Sequence, residues 1–499
     1  MEEKKLDTNS LIGFMLIFAI LLYMLWQNQP TPEQIAEQNN NQTQVDSQNS
    51  NQGLEDNSTT LEDRLADEKL KLGDFAYSLN ASMADQTTTL ENEILSLKIE
   101  NKGGMISEVR LKAFVNYDSV PVFLIKEETS KINLNFSTLD NRNLNTSDLY
   151  FQPELKFDGD NKVLSMKLKV SETQFLEYIY TLKPSDYMIN FSIRSQGLST
   201  YLDDRKDAEF EWDLKALRQD KSISFENRYT RLTYEHEEDK VNKLSQTSDD
   251  DDVVSDVSWI SYRQHFFSSI LVPENPIKSV EIKSLDLVED ETIDTLYTKK
   301  YLTKFSIPYK GGELSQNMDF YFGPTYAQIL KKYNKNLENS IPFGWGIFGW
   351  INKAIFGPLY SWLSSFLSYG IAIIVMTIMV KILLSFVQYK QFLSQAKMKI
   401  LKPELDALRE KYKNNKMKAQ QETMALQNKA GASPLSGCLP GLLQIPVFYS
   451  LFMFFPIAFE LRQKPFLWVD DLSSYDTIAE LPFNIPFYGD HISLFPILA

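Results

Sequence analysis

Hydrophobic positions along this chain follow several distinct rhythms, and each rhythm predicts a different element. Residues 11–26, LIGFMLIFAILLYMLW, are apolar throughout and close to the lower length for a membrane-spanning helix. No small-x-small cleavage signature follows, so the pattern predicts an uncleaved signal-anchor over 1–27. Residues 28–80 read as a disordered tether. The Asn/Gln-rich run QTQVDSQNSNQ offers too little apolar surface to offset the entropy of ordering, although the charge pattern of 61–79 suits a short helix. From 81 to 335 the rhythm changes to period two. Runs such as EILSLKIE, VLSMKLKV, YMINFSIRS and MDFYFGP alternate between apolar and polar and are broken by Gly, Pro, Asn and Asp, which predicts an all-β sandwich.

The last third is oily again. Residues 341–368 carry Trp345, Trp350 and Trp362 among Phe, Ile and Leu with few charges, which predicts an amphipathic helix lying at a membrane interface and anchored by those tryptophans. Residues 369–388 and 435–459 read as transmembrane helices. Between them, 389–433 repeats apolar residues at three- and four-residue steps around the polar KYKNNK, the pattern of a helical hairpin. The segment 460–499 reads as a loop followed by the opening of a further span at ISLFPILA, so the sequence is expected to stop inside that span.

Charge orients these elements. Lys4 and Lys5 precede the first apolar run, and residues 27–63 contain no Lys or Arg; the hairpin holds ten Lys/Arg against four acids. Both signals put the N-terminus and the hairpin in the cytoplasm and the β domain outside. The totals exclude more than they identify. Net charge is -15, one cysteine (Cys438) rules out an internal disulfide, and three histidines leave little for a zinc site. No phosphate-binding loop, nucleophile elbow or metalloprotease pair occurs. Asp249–Asp252 lack the ligand spacing of a calcium loop and read as a solvated loop. No catalytic residue, metal or cofactor is expected.

Against that background one residue stands out. Lys381 sits inside the apolar run IIVMTIMVKILLSFVQ, where a charge costs roughly 2.5–3.5 kcal/mol even on a lenient insertion scale. At helical spacing Thr377, Lys381, Ser385 and Gln388 fall on one face. On the third span Gly437, Gly441 and Gln444 share a face, the glycines permitting close helix approach. Together they would line a narrow hydrophilic groove open to the cytoplasm. Spacing alone serves equally well a lysine that snorkels to the inner headgroups, about 10 Å away.

The string PLSGCLPGLLQIPVFYSLF with ELRQKPFLWVDDLS resembles the third-span region of the YidC membrane-protein insertase family, of the Gram-negative type with a large periplasmic domain. NKGGMISEVRL, YTLKPSDYMINFSI and VSWISYRQHFFSSILVP resemble the family's periplasmic domain. The likeness implies a periplasmic β-supersandwich on an α-helical transmembrane insertase core in the inner membrane. It implies a groove whose positive residue corresponds to Lys381, nascent integral membrane proteins as substrates, and the lipid bilayer, the Sec translocon and the ribosome as partners, with no specific nucleic acid. This sequence departs from the family in having lysine for the usual arginine and Phe386 where many members have proline. The last two spans of the core are also absent. The competing reading is a membrane-anchored periplasmic carbohydrate-binding protein or enzyme, which predicts a cleft with paired carboxylates.

Overall fold

A computed structural model describes residues 69–81, 87–237, 239–430, 439–485 and 489–494. The expected anchor over 1–27, most of the tether and Gly437 lie outside the described residues. Residues 69–80, assigned above to the tether, are instead ordered. The 3-10 helix Gly73–Ala81 buries Phe75 and Leu79, and Phe75 meets Phe136 with ring centroids 5.1 Å apart. The Asn/Gln content has ended by then, and these apolar side chains suffice to dock the segment.

Nineteen strands form the β domain: β1 (Thr87–Glu91), β2 (Leu95–Glu100), β3 (Ile106–Val115), β4 (Pro121–Ile125), β5 (Ser130–Ser137), β6 (Asn143–Asn145), β7 (Gln152–Asp158), β8 (Asn161–Lys169), β9 (Phe175–Leu182), β10 (Met188–Gln196), β11 (Ala208–Leu217), β12 (Arg231–His236), β13 (Lys240–Lys243), β14 (Asp250–Val254), β15 (Val257–Arg263), β16 (Phe267–Pro273), β17 (Val280–Asp286), β18 (Tyr297–Ile307) and β19 (Ser315–Pro324). They make a four-stranded sheet β1-β2-β3-β4, a nine-stranded sheet β13-β12-β15-β16-β19-β10-β9-β8-β7 and a six-stranded sheet β14-β17-β18-β11-β5-β6. Every pairing among them is antiparallel, so the chain folds as a β-sandwich of the class its period-two rhythm predicts.

Alternation explains the packing. In β11 Phe210, Trp212 and Leu214 point inward while Glu209, Glu211 and Asp213 point out. Across the sandwich Trp212 stacks on Tyr262 of β15 at 4.3 Å, and Tyr262 stacks in turn on Tyr301 of β18. The Tyr262 hydroxyl lies 3.0 Å from the Trp212 carbonyl and 2.6 Å from Thr303 Oγ1, so this buried polar atom is satisfied. Of Asp249–Asp252 only Asp249 stays in a loop. Asp250–Asp252 lie in edge strand β14, paired to β17, and Asp252 accepts from the Tyr234 hydroxyl. Pairing to β17 satisfies their backbone, and an edge strand leaves room for the carboxylates in solvent or with local donors.

The helices are α1 (Ile223–Tyr229), α2 (Ala327–Leu330), α3 (Gly346–Ile351), α4 (Gly357–Ser364), α5 (Tyr369–Lys411), α6 (Lys416–Lys429) and α7 (Leu439–Ile457). The single amphipathic helix expected over 341–368 is broken. Gly344 has φ +112°, a π-helical turn spans Asn352–Phe356, and the Asn352 side-chain amide donates to the Phe343 carbonyl. The boundary expected at 388 is also absent, because α5 continues unbroken from Tyr369 to Lys411 with Pro403 inside it. No glycine or proline stands between 371 and 402 to end it. The turn expected at KYKNNK separates α5 from α6. Beyond α7 the chain forms an unforeseen hairpin, β20 (Ala479–Ile485) with β21 (Gly489–Ile492); Ile492, assigned above to a further span, ends a strand, and 495–499 lie outside the described residues.

Trp212 fills the centre of the sandwich. We expect Trp212→Ala to destabilise the β domain by about 3–5 kcal/mol, read as an earlier chemical-unfolding midpoint by circular dichroism.

Candidate functional site

The site is framed by α5 and α7. On α5, Ala372, Met376 and Val380 are buried; on α7 and just after it, Phe454, Ala458 and Leu461 are buried; Tyr360 and Leu363 of α4 complete this second core. The spacing is the i, i+4 stripe of a packed helix face. The opposite faces are apolar yet exposed, with Ile374, Ile378, Ile382 and Leu383 on α5 and Ile445, Phe448 and Phe452 on α7. A contiguous exposed apolar surface of this kind marks a membrane or protein interface. Among the described residues no helix is long and apolar enough to cross a membrane. The side chains described without a break in the apolar parts of these helices are those of 369–385 and 444–457.

Lys381 is exposed, next to Val380, which is buried in the helical core. Among the described residues nothing forms an ion pair or hydrogen bond with its ammonium. Thr377 is half-buried and donates its hydroxyl to the Ile373 carbonyl at 2.9 Å, and Ser385 donates to the Ile382 carbonyl at 2.6 Å. Both hydroxyls are satisfied within their own helix and keep only acceptor capacity for a guest. Gln388 and Gln444 are exposed. Gln444 lies on the i, i+3, i+4 line that runs through Val447, Leu451, Phe454 and Ala458, the line by which α7 meets its neighbours. Thr377 lies within the packed stretch of α5, and Leu384 still meets the helical core beyond Lys381, so the polar residues run alongside the contact. The structure records no bond between Lys381 and Gln444. Trp345, Trp350 and Trp362 are exposed, as interfacial anchors would be.

Sequence reasoning missed what holds the packed end. Residues 457–463 splice two cores: Ile457 and Phe459 enter the β-domain core, while Ala458 and Leu461 enter the helical one. Phe459 lies edge-on to Phe114, Phe266 and Phe267 and stacks on Tyr326 at 5.7 Å. The buried His265 ring reaches Asp220 Oδ2 from Nδ1 at 2.5 Å and the Pro456 carbonyl from Nε2 at 2.6 Å. Arg462 donates to the Val115 carbonyl at 2.6 Å and lies over the Phe267 ring. Burial pushes the Glu460 carboxyl up and the Arg462 guanidinium down. The aromatic QHFF (264–267) was the available signal, but its partner lies nearly 200 residues away and no local rule connects them.

A cavity of about 950 Å³ opens beside this splice, lined among others by Tyr117, Gln219, Lys221, Arg462 and Asp471. Three of its four carboxylates are occupied. Asp220 meets His265, Asp471 accepts from the Gln463 and Ser473 backbone N–H groups, and Asp476 accepts from the Trp468 indole.

The comparisons with known proteins divide the chain between residues 357 and 360. The YidC periplasmic domain model matches residues 87–357, and that of the 60Kd inner membrane protein matches 360–499. A membrane protein insertase YidC from Parabacteroides distasonis is 37% identical over 523 residues, covering 99% of this chain and 82% of that relative. The chain belongs to the YidC membrane protein insertase family. YidC-family members are inner-membrane insertases with a periplasmic domain, not enzymes, and the β domain described above is that domain. Among solved structures, an active YidC insertase is 14% identical at a TM-score of 0.26, covering 84% of each chain. A galactose mutarotase-like protein from Lactobacillus casei is 10% identical at 0.31, covering 48% of this chain and all of its own. At those scores neither likeness decides fold or function.

Glu226 of α1 lies under the splice. Its Oε2 accepts from the Gln219 and Asp220 backbone N–H groups, and burial, with the nearby Asp220 charge second, pushes its carboxyl from 4.5 up to about 8. The folded state therefore holds this proton more tightly than the unfolded state. The resulting stability is complete below about 4.5 and is lost as pH rises through about 8. Glu226→Gln keeps the acceptor and removes the titration, so thermal unfolding scanned over that window should lose part of its pH dependence. A second change tests the close approach at the start of α5. A Cβ on Gly370 would stand 2.2 Å from the Phe466 ring, so Gly370→Ala should expel Phe466 and lower the melting temperature, whereas Gly357→Ala, with nothing nearer than 3.1 Å, should do so less.

Proposed function

We propose that this YidC-family insertase receives polar parts of nascent membrane proteins in a groove between the cytoplasmic halves of α5 and α7, with Lys381 as its fixed positive charge. The observation carrying this reading is the exposed ammonium, with no ion pair or hydrogen bond among the described residues, inside the apolar first part of α5. A charge kept in such a setting needs a use or a wet surrounding. Residues 371–387 would rise ~26 Å as a helix, close to the hydrocarbon thickness of a bilayer. Their exposed isoleucines and leucines would face lipid.

The groove works by reducing a cost rather than by making bonds. Carboxylates and amides of a passing segment lose hydration as they enter, and the ammonium with the Gln388 and Gln444 amides returns part of it. Thr377 and Ser385, whose protons are committed to their own helix, offer acceptor oxygens only. The apolar part of the client then partitions into lipid, which is favourable without ATP. Gly441 would let α7 approach a neighbour closely. The basic stretch of α5 and α6 faces the cytoplasm and meets ribosome or nascent chain, the β domain lies in the periplasm where it contacts the Sec translocon, and the N-terminus is cytoplasmic.

Depleting the native protein and supplying full-length variants tests this. Lys381→Arg should restore insertion of client proteins, Lys381→Ala should restore it weakly, and Lys381→Glu should fail. Full rescue by both Ala and Glu, measured as protease-protected client, refutes the groove.

A further inference from the structure

The loop after α7 presents an apolar tip on a rigid mount. Phe466 and Val469 pair through two backbone hydrogen bonds of 2.8 and 3.1 Å, leaving Leu467 and Trp468 as the two residues of a tight turn. Leu467 has φ +58° while Trp468 does not take a positive φ. That sign pattern belongs to a type II′ turn, whose first central position favours glycine. A leucine there is strained, and it is also 72% exposed. Folding stability is served by neither property.

Everything around the tip is fixed. The Trp468 indole N–H donates to Asp476, the Asp471 carboxylate accepts from Gln463 N and Ser473 N, and the Leu472 N–H donates to the Lys464 carbonyl. Two contacts set its height. The Phe466 ring occupies the space that a side chain at Gly370 would need, and the Lys464 ammonium lies 5.0 Å from the centre of the Tyr369 ring. Tyr369 and Gly370 are the first residues of α5, where its apolar run begins. Trp362 and Phe366, both exposed and in edge-on contact at 5.0 Å, immediately precede that helix. Exposed apolar side chains thus converge on the outer end of α5 from two separate segments.

We infer that Leu467 is a lipid-contacting finger that dips into the outer leaflet at the boundary between headgroups and acyl chains, and so fixes the depth at which α5 and α7 sit. The occupant is lipid because the tip shares its level with the interfacial aromatics that flank α5. This inference rests on the reading of α5 as a membrane span.

The test uses the full chain with Cys438→Ser, reconstituted in phosphatidylethanolamine–phosphatidylglycerol vesicles. Leu467→Cys carries an environment-sensitive nitrobenzoxadiazole label, and Ile378→Cys and Asp118→Cys serve as span and aqueous controls. At 467 the emission should shift to the blue and be quenched by lipids spin-labelled near the headgroup, but not by aqueous iodide. Iodide quenching at 467 with lipid quenching at 378 overturns the finger alone. Protection of 467 from both quenchers means that the tip is covered by protein, which also overturns it. Iodide quenching at 378 overturns the membrane reading beneath. Leu467→Asn, which tolerates positive φ, should leave thermal unfolding no lower than the parent's. A clear loss of stability instead makes Leu467 a packing residue and refutes the inference.

Discussion

Seven residues at the end of α7 carry two cores at once. Ile457 and Phe459 belong to the sandwich, Ala458 and Leu461 to the helices, so neither core can be completed without the other. Close-packed interiors transmit displacement rather than absorb it. With the aromatic cup around Phe459 and the His265 contact to the Pro456 carbonyl, the periplasmic end of the helix pair is clamped to a domain of nineteen strands. Lys381 and Gln444 stand exposed beside the helical core.

That asymmetry suits an insertase. The proposed groove, closed at the outer face and open to the cytoplasm, would admit a polar segment without offering a leak across the membrane. A cation fixed on one wall favours acidic and polar guests, and lysine gives a compact charge on a flexible stem where arginine would give a rigid fork. In the proposed mechanism the exposed apolar faces beside it would provide the exit into lipid, so that uptake and release would be arranged around the first part of α5.

Much of this was legible in the residues, and the rest was hidden for identifiable reasons. Period-two alternation marked the strands because one face of each is buried, as β9 and β11 illustrate. Trp345, Trp350 and Trp362 announced an interface, but the Gly344 turn and the π-helical turn after Ile351 follow from tertiary contacts and broke the expected helix. Asp249–Asp252 looked like a loop because acidic residues disfavour strands, yet edge pairing to β17 overrode propensity. The splice was invisible because Phe459 and His265 signal nothing until the fold brings them together. Spacing set Thr377 and Ser385 on one face with Lys381, but no spacing rule could say that their hydroxyls bond to their own helix.

The central claim is that the ammonium of Lys381 occupies water continuous with the cytoplasm while its neighbours face oil or protein. Thiol modification decides this most directly. In full-length protein lacking Cys438, Lys381→Cys, Ile378→Cys and Met376→Cys are exposed to a membrane-impermeant maleimide from the cytoplasmic side of inverted vesicles. Position 381 should react, while 378 in lipid and 376 in the helix contact should not. An unreactive 381, indistinguishable from 378, would contradict the account.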